Sequence, residues 1–278
     1  MCAFREERES SGSRYNERWM ISSFNSHWHY LWLVLASLIA GVMNAMAGGG
    51  SFISFPSMLS MGIAPVQANA TNTVALWPGQ LTSVAALRGD LRRDLLPSIC
   101  AASILGGVSG AVVLLHTRQI TFLRMVPWLL LTASLLFGIS APVSLWLRKR
   151  STEPHMGKAP AVIPLFFVLL PVCFYIGYFG AGAGFLIMSA LALFGVEEMN
   201  ALNSMKVLAA CLSNFCAVVT FVYSGAVIWH YCLISMVFAA VGGYIGAQYA
   251  RKMDAGVLRT IVVTTGCVMA AYFFWKNG

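Results

Sequence analysis

Residues 40–73 read AGVMNAMAGGGSFISFPSMLSMGIAPVQANATNT, a pattern typical of an interrupted membrane helix. An apolar run is followed by three glycines at 48–50, by a second apolar run ending at Gly62, and by a polar cluster. A helix of about ten residues rises only ~15 Å, half of a bilayer. Backbone that breaks at membrane depth is tolerated only inside protein or beside a water-filled cavity. The stretch therefore predicts a helix break that lies inside the protein or beside a water-filled cavity.

The composition of the whole chain excludes an ordinary soluble domain. Of its 278 residues, 58% are hydrophobic and 10% are charged, whereas soluble domains average about 45–50% apolar and 25% charged residues. All ten acidic residues, and seventeen of the eighteen Lys and Arg residues, lie in the tails or at breaks between apolar runs. The exception is Lys206. Basic residues beside apolar runs follow the positive-inside rule, so the net charge of +8 indicates a membrane protein rather than nucleic-acid binding.

Eight hydrophobic segments follow one another along the chain. A spanning helix needs about 20 apolar residues, and segments of this kind lie at 29–61, 65–87, 94–115, 121–147, 160–194, 199–223, 227–250 and 256–275. The first and the fifth contain glycine-rich interruptions. The predicted fold class is an all-α polytopic membrane protein.

The two halves of the chain resemble each other. The sequence AGGGSF at 47–52 corresponds to GAGAGF at 180–185, and Gly106 recurs 136 residues later as Gly242. We predict two homologous four-segment repeats with glycine-broken first helices, segments 1 and 5. The predicted organisation is a charged cytoplasmic tail (1–28), a first transmembrane repeat (29–147), a polar linker (148–159) and a second transmembrane repeat (160–278).

The orientation depends on whether the repeats are parallel or inverted. Eight simple spans would place both termini in the cytoplasm, with twelve Lys and Arg residues inside and five outside. If segments 1 and 5 enter and turn back, the repeats are inverted, with ten inside and seven outside. The charge bias favours the first arrangement, a multi-pass protein of the cell inner membrane with a cytoplasmic N-terminus. This preference depends on the basic residues of the N-terminal tail.

Polar side chains follow each interruption. Lys206 stands in an apolar segment, where an ammonium costs about 2.5–3.5 kcal/mol to insert and is by default a functional hypothesis. No carboxylate lies in the apolar runs to pair with it, so we predict that its counter-ion is an anionic substrate. Short helices that start at the glycine breaks would add free N–H groups for an anion. The predicted substrate-binding residues are Lys206, Asn203, Ser204, Asn69, Thr71, Asn72, Gly48, Gly49, Gly50, Ser51, Gly180, Gly182 and Gly184.

Other interpretations of these residues stay open. Lys206 could snorkel to the interface or pair with Glu197 or Glu198, and the glycine breaks could serve close helix packing. Packing is the favoured role for the glycines spaced four apart in uninterrupted segments. Gln80 and Asn214 are more typical of contacts between helices than of ligand binding.

The chain shows no nucleophile–base pair and no metal-ligand cluster in its apolar runs. A membrane enzyme or assembly factor is therefore the weaker alternative, and we predict no cofactor and no metal. The seven cysteines form no CxxC pair. The expected partners are a small anion and membrane lipid, without nucleic acid. Coupling to protons or other ions and the oligomeric state are left open.

Residues 40–73, followed by RGDL at 88–91, resemble the N-terminal repeat of the sulfite exporter TauE/SafE family, also called the toluene sulfonate uptake permease (TSUP) family. Residues 178–229 and GGYIGAQYARKMD at 242–254 resemble its C-terminal repeat. The family's glycine-rich motif falls on residues 48–50 and Pro56, and its Asn/Lys motif falls on Asn203 and Lys206.

The resemblance implies a polytopic inner-membrane permease. Members are linked to the movement of sulfite, of sulfonates such as sulfoacetate, and of related organic anions. We therefore expect a permease for a small anion of the sulfur oxyanion or sulfonate class, working by alternating access around a midplane site. A carboxylate carrier or an anion channel of the same fold is the alternative.

Overall fold

The structure, a computed structural model, describes residues 26–47, 49–138, 162–181, 184–194, 196, 198–250 and 255–277. The predicted linker, most of the predicted tail, Gly48 and Gly182 lie outside these ranges. The described residues form helices and no strands. The helices are α1 (Ser26–Ala47), α2 (Ser51–Ser60), α3 (Pro65–Leu87), α4 (Leu96–His116), α5 (Gln119–Gly138), α6 (Val162–Tyr178), α7 (Gly184–Leu193), α8 (Met199–Tyr223), α9 (Trp229–Ala250) and α10 (Ala255–Asn277), with a 3₁₀ turn at Arg88–Asp90.

The helices pack as a bundle with two ends. At one end the loop after α3 meets the start of α8, where the Ser204 hydroxyl donates to the carbonyl oxygen of Asp90 at 2.9 Å. At the other end the start of α3 meets the start of α5, where the N–H of Val66 donates to Oε1 of Gln119 at 2.8 Å. We call these the Asp90 end and the Thr117 end, after the loops that follow α3 and α4.

The long helices α3 and α8 run in opposite directions. After α8 the chain reaches the Thr117 end, where the N–H of Ile228 donates to Oγ1 of Thr71 in the second turn of α3 at 3.0 Å. Since α8 begins at the Asp90 end and α3 begins at the Thr117 end, the two are antiparallel. They cross near their centres, where the Trp77 indole N–H donates to the Cys211 carbonyl at 3.2 Å.

Helices α1 and α2 form a hairpin that begins and ends at the Thr117 end. At the start of α1, the hydroxyl of Tyr30 lies 3.1 Å from Nε2 of His230, just after the loop between α8 and α9. Residues 48–50 separate α1 from α2, and only 61–64 separate α2 from α3. Gly62 turns the chain there with a φ of 80°, a left-handed conformation that favours glycine.

Helices α6 and α7 form the corresponding hairpin at the Asp90 end. Helix α6 runs parallel to α4: the Ser103 hydroxyl lies 3.8 Å from the Cys173 sulfur, and the hydroxyls of Thr117 and Tyr178 lie 3.5 Å apart. Helix α7 then returns toward the Asp90 end, because only residues 194–198 separate it from α8. The first turns of α2 and α7 thus lie in the interior, and the two short helices point toward opposite ends.

Glycines let these hairpins pack closely against the rest of the bundle. A Cβ at Gly106 in α4 would lie 2.7 Å from Cβ of Cys173 in α6, and one at Gly246 in α9 would lie 2.7 Å from the carbonyl oxygen of Val42 in α1. Real Cβ atoms do not approach other atoms so closely. The prediction that these spaced glycines serve helix packing is confirmed.

Several helices have the length and apolar character of membrane spans. Four described helices are long and apolar enough to cross a bilayer, within Trp28–Ala45, Leu96–His116, Asn200–Tyr223 and Trp229–Gly246, and three shorter apolar helices accompany them. Their outward side chains are apolar as well as exposed, as with Phe167 in α6 and Val237 in α9. The chain is therefore a multi-pass membrane protein of helices.

The path of the chain differs from eight simple spans. Because each hairpin returns to its own end, each half crosses the bundle three times, as in the alternative with segments that turn back. Helix α10 runs antiparallel to α5, with Trp128 packed on Phe274 at a centroid distance of 5.0 Å. The described chain consequently starts and finishes at the Thr117 end. The charge count favoured the simpler path because it included the four basic residues of the N-terminal tail, and it does not report whether a segment turns back.

Candidate functional site

Lys206 lies on α8 beside the first residue of α7. Seven residues of α8 precede it, which places it about 10 Å from the helix start. Its Cδ and Cγ atoms lie 3.3 and 3.7 Å from the position that a Cβ of Gly184 would occupy. The aliphatic part of the lysine therefore covers Gly184, and the side chain is mostly buried.

The Lys206 ammonium has no acidic partner in the described part of the chain. The ion pair that the structure shows joins Arg92 and Asp94, with Nε and Oδ1 3.1 Å apart, in the exposed loop at the Asp90 end. Glu198 is exposed and does not pair with Lys206, and Glu197 lies outside the described residues. No group of three His, Cys, Asp or Glu side chains in the described ranges could hold a metal ion.

The first turn of α7 adds to the positive potential around Lys206. The first N–H groups of a helix have no partner within it, and the helix dipole places about half a positive charge there. Asn203 lies one turn before Lys206 on the same face of α8 and is partly buried. A cation and the positive end of a helix dipole therefore lie together where α7 begins, with the Asn203 amide one turn away on α8, and an anion would interact favourably with all three.

The start of α2 is fixed by an asparagine from α3. Nδ2 of Asn72 donates to Oγ of Ser51 at 3.2 Å, and the Ser54 hydroxyl donates to Oδ1 of Asn72. Asn72 is fully buried. Since both amide atoms are engaged, Asn72 holds the first turn of α2 in place, and the Ser51 hydroxyl keeps its own proton free to donate.

Asn69 connects the first polar cluster to the second hairpin. Its Nδ2 donates to the carbonyl oxygen of Tyr178, the last residue of α6, at 3.1 Å. Its Oδ1 is buried and has no hydrogen-bond partner among the described residues. The sequence groups Asn69 with the first half, whereas the structure places it against the second break.

Thr71 and Ser204 lie away from the starts of the short helices and hold loops. Thr71 accepts from the N–H of Ile228 at the Thr117 end, and Ser204 donates to the Asp90 carbonyl at the opposite end. Both side chains are buried. The structure therefore does not bring these two predicted residues together, because they lie on either side of the crossing of α3 and α8.

Glycines at the breaks allow close approach. Gly49 and Gly50 are buried, and a Cβ at Gly50 would meet the backbone carbonyl of Ala40 and lie 3.0 Å from Cβ of Asn44. Gly180 follows α6 with a φ of 77°, and its N–H donates to the Tyr175 carbonyl at 3.3 Å. Glycine is needed at position 50 for space and at position 180 for conformation.

An amide pair joins α3 and α8 beside the second break. Nδ2 of Asn214 donates to Oε1 of Gln80 at 3.0 Å, which fits the predicted role of these residues in helix contact. Oδ1 of Asn214 is buried and unpaired, and a Cβ at Gly180 would lie 3.5 Å from it. Sequence reasoning missed Ser54, although it stands three residues after Ser51, on the same face of α2.

Comparison with known proteins agrees with these features. The family model for sulfite exporter TauE/SafE matches residues 33–273. A Sinorhizobium protein named probable membrane transporter protein ORF9 is 30% identical over 86% of this chain and 89% of its own length. The Escherichia coli K12 probable membrane transporter protein YfcA is 26% identical over 88% of this chain and 89% of its own length. No solved structure matches the chain significantly. The chain therefore belongs to the sulfite exporter TauE/SafE family and is a membrane transporter.

Proposed function

We propose that the chain carries a small anion across the membrane through a site formed by Lys206 and the start of α7. The observation that carries this proposal is the lysine itself, which covers Gly184 without an acidic partner among the described residues. An ammonium in a membrane costs about 2.5–3.5 kcal/mol on insertion scales, so a lysine at this position indicates a functional role. An anion that enters the site compensates this cost.

The mechanism is alternating access between two inverted repeats. Trp77 contacts Cys211 and Gln80 contacts Asn214, and each pair joins positions 134 residues apart at the crossing of α3 and α8. The glycine breaks lie 133 residues apart, so these contacts join positions within one residue of equivalence, as expected where a two-fold axis passes near the crossing. The antiparallel course of α3 and α8 supports an axis in the membrane plane, as in many transporters.

The substrate class follows from the charge of the site and the family. A cation with helix N–H donors binds oxygen-rich anions, and the family is described as sulfite exporters. We therefore favour a sulfur oxyanion or a sulfonate, of the sulfite and sulfoacetate class. A carboxylate carrier or an anion channel of the same fold remains the alternative, because the same groups would bind a carboxylate.

We place the protein in the cell inner membrane with the Asp90 end in the cytoplasm. Of the Lys and Arg residues other than Lys206, ten lie at or between helix ends of that side and seven at the opposite side. The positive-inside rule then puts both termini outside. This orientation reverses the one expected from eight simple spans, because the hairpins change which loops share a side.

The test replaces the charge at Lys206 and leaves the rest of the chain intact. Full-length protein in liposomes should take up radiolabelled sulfite in the parent chain and lose at least about tenfold of that rate in Lys206→Gln. Lys206→Arg should retain part of it. Arg124→Gln is the matched control, because it removes one positive charge from an exposed position in α5.

The outcomes separate the candidates. Normal uptake by correctly folded Lys206→Gln would remove the lysine from the mechanism. Saturable uptake that is stimulated by anion on the opposite side indicates a carrier, whereas flux without saturation indicates a channel. Uptake of acetate with no response to sulfite or sulfonates would favour the carboxylate carrier.

A further inference from the structure

Lys206 is the one charged side chain of the proposed site among the described residues. Lys206 is the one Lys, Arg, Asp or Glu in the described helices that lies more than six residues from both ends of its helix. The position 133 residues earlier holds Thr73, whose hydroxyl donates to the Asn69 carbonyl at 2.9 Å. A substrate at the start of α7 therefore meets one full positive charge.

The neighbouring groups are neutral. Asn203 adds an amide on the same face of α8, and the first turn of α7 adds N–H groups with about half a positive charge. Asn69 and Asn72 on α3 are buried and uncharged. The Asn203 amide and the first N–H groups of α7 can donate to substrate oxygens, whereas the amides of Asn69 and Asn72 already donate to Tyr178 and Ser51. None of these groups supplies a second full charge.

We propose that the site selects singly charged oxyanions over doubly charged ones. This inference rests on the proposed function and narrows its substrate class to monosulfonates, monocarboxylates and the singly ionised forms of dibasic oxyacids. Sulfoacetate, which carries both a sulfonate and a carboxylate charge at neutral pH, then falls outside the favoured class. Lys206 neutralises a monoanion. A dianion would leave one charge uncompensated among apolar side chains, which is unfavourable in a low-dielectric environment.

A pH signature follows for dibasic acids. As pH rises through the second pKa of such an acid, the singly ionised fraction falls, so its apparent affinity should fall in proportion. The affinity for a monosulfonate should stay level over the same pH range, since its charge does not change.

The experiment compares two tetrahedral anions of similar size. Methanesulfonate carries one negative charge and sulfate carries two. Binding to the full chain in lipid nanodiscs, measured by calorimetry at constant ionic strength, should be at least about tenfold tighter for methanesulfonate. Equal or tighter binding of sulfate to the parent chain would overturn the inference.

A variant tests the same point from the protein side. Asn203→Lys places a second ammonium one turn from Lys206 and should narrow or reverse the preference, whereas Asn203→Gln keeps an amide and should not. If Asn203→Lys folds and the preference is unchanged, the inference fails. If it does not fold, the comparison on the parent chain still decides.

Lys206→Gln separates this inference from the proposed function. Loss of both anions in that variant supports the site, and then a parent chain that prefers sulfate contradicts only the selection by charge. Unchanged binding of both anions in Lys206→Gln contradicts the site, and with it the proposed function.

Discussion

Two glycines, Gly50 at the first break and Gly79 within α3, differ in the space that the fold leaves for a side chain. Gly50 packs against the backbone of α1. A larger residue at this position would require Ala40 to move. Gly79, in the exposed part of α3, has only Nδ2 of Asn44 near the position of a Cβ, at 4.0 Å. The same substitution should therefore have opposite effects at these two positions.

Gly50→Ala should destabilise the protein by about 1–3 kcal/mol, because its methyl group overpacks the contact between α1 and α2. Gly79→Ala should be neutral or stabilise it by up to about 1 kcal/mol, since alanine favours helix. Unfolding of the purified variants in detergent, followed by size-exclusion chromatography after heating, measures both. Equal stability of the two variants would contradict the close approach at Gly50.

At the scale of elements, α3 and α8 are held together by few polar contacts. The Gln80–Asn214 hydrogen bond and the Trp77 indole contact lie at their crossing, and Phe215 stacks on Trp77 at a centroid distance of 5.3 Å. A hydrogen bond between membrane helices stabilises by a modest amount, because the unfolded helices find other partners in the bilayer. Movement at the crossing would therefore cost little in polar contacts, as the proposed alternating access requires.

A double-mutant cycle on Gln80→Leu and Asn214→Leu should give a coupling energy of about 0.6 kcal/mol, and less than about 2 kcal/mol. Reversible unfolding in bicelles of the parent, the two single variants and the double variant supplies the four free energies. A coupling energy of zero would show that the amides do not interact in the folded protein.

The sequence predicts the helices well and their partners poorly. The predicted segments 65–87 and 199–223 coincide with α3 and α8 because long apolar runs bounded by charges define a helix locally. The position of Asn69 against Tyr178 depends on how α3 packs with α6, which no local pattern encodes. Lys206 stood out in sequence because its charge is unusual in any apolar run. Gly184 was also predicted, but its contact with Lys206 could be known only from the fold.

At the scale of the whole molecule, the two hairpins decide the topology. The α1–α2 hairpin belongs to the Thr117 end and the α6–α7 hairpin to the Asp90 end. The charge count depended on the tail, whose four basic residues it assigned to the side of the α3–α4 loop, whereas the described start of α1 lies at the opposite end. With the hairpins in place, the loops after α3 and after α4 must face opposite sides of the membrane.

Cysteine labelling in whole cells tests this topology. In a chain with Cys2→Ser, a membrane-impermeant maleimide should label Tyr223→Cys, beside the loop after α8, in intact cells, and label Gly89→Cys, in the loop after α3, only after permeabilisation. Eight simple spans would instead place these two loops on the same side of the membrane. Both positions are exposed. Labelling of both in intact cells would contradict the opposite placement of the two loops, and the reverse pattern would contradict the proposed orientation alone.

The opposed directions of the two short helices have an electrical consequence. Helices α2 and α7 both begin in the interior, so the positive ends of their peptide dipoles point inward from each side. The two positive ends raise the electrostatic potential of the interior, which raises the energy of an entering proton or metal cation and lowers that of an anion. This arrangement would favour the proposed anion transport while opposing leakage of the proton and cation gradients across the membrane.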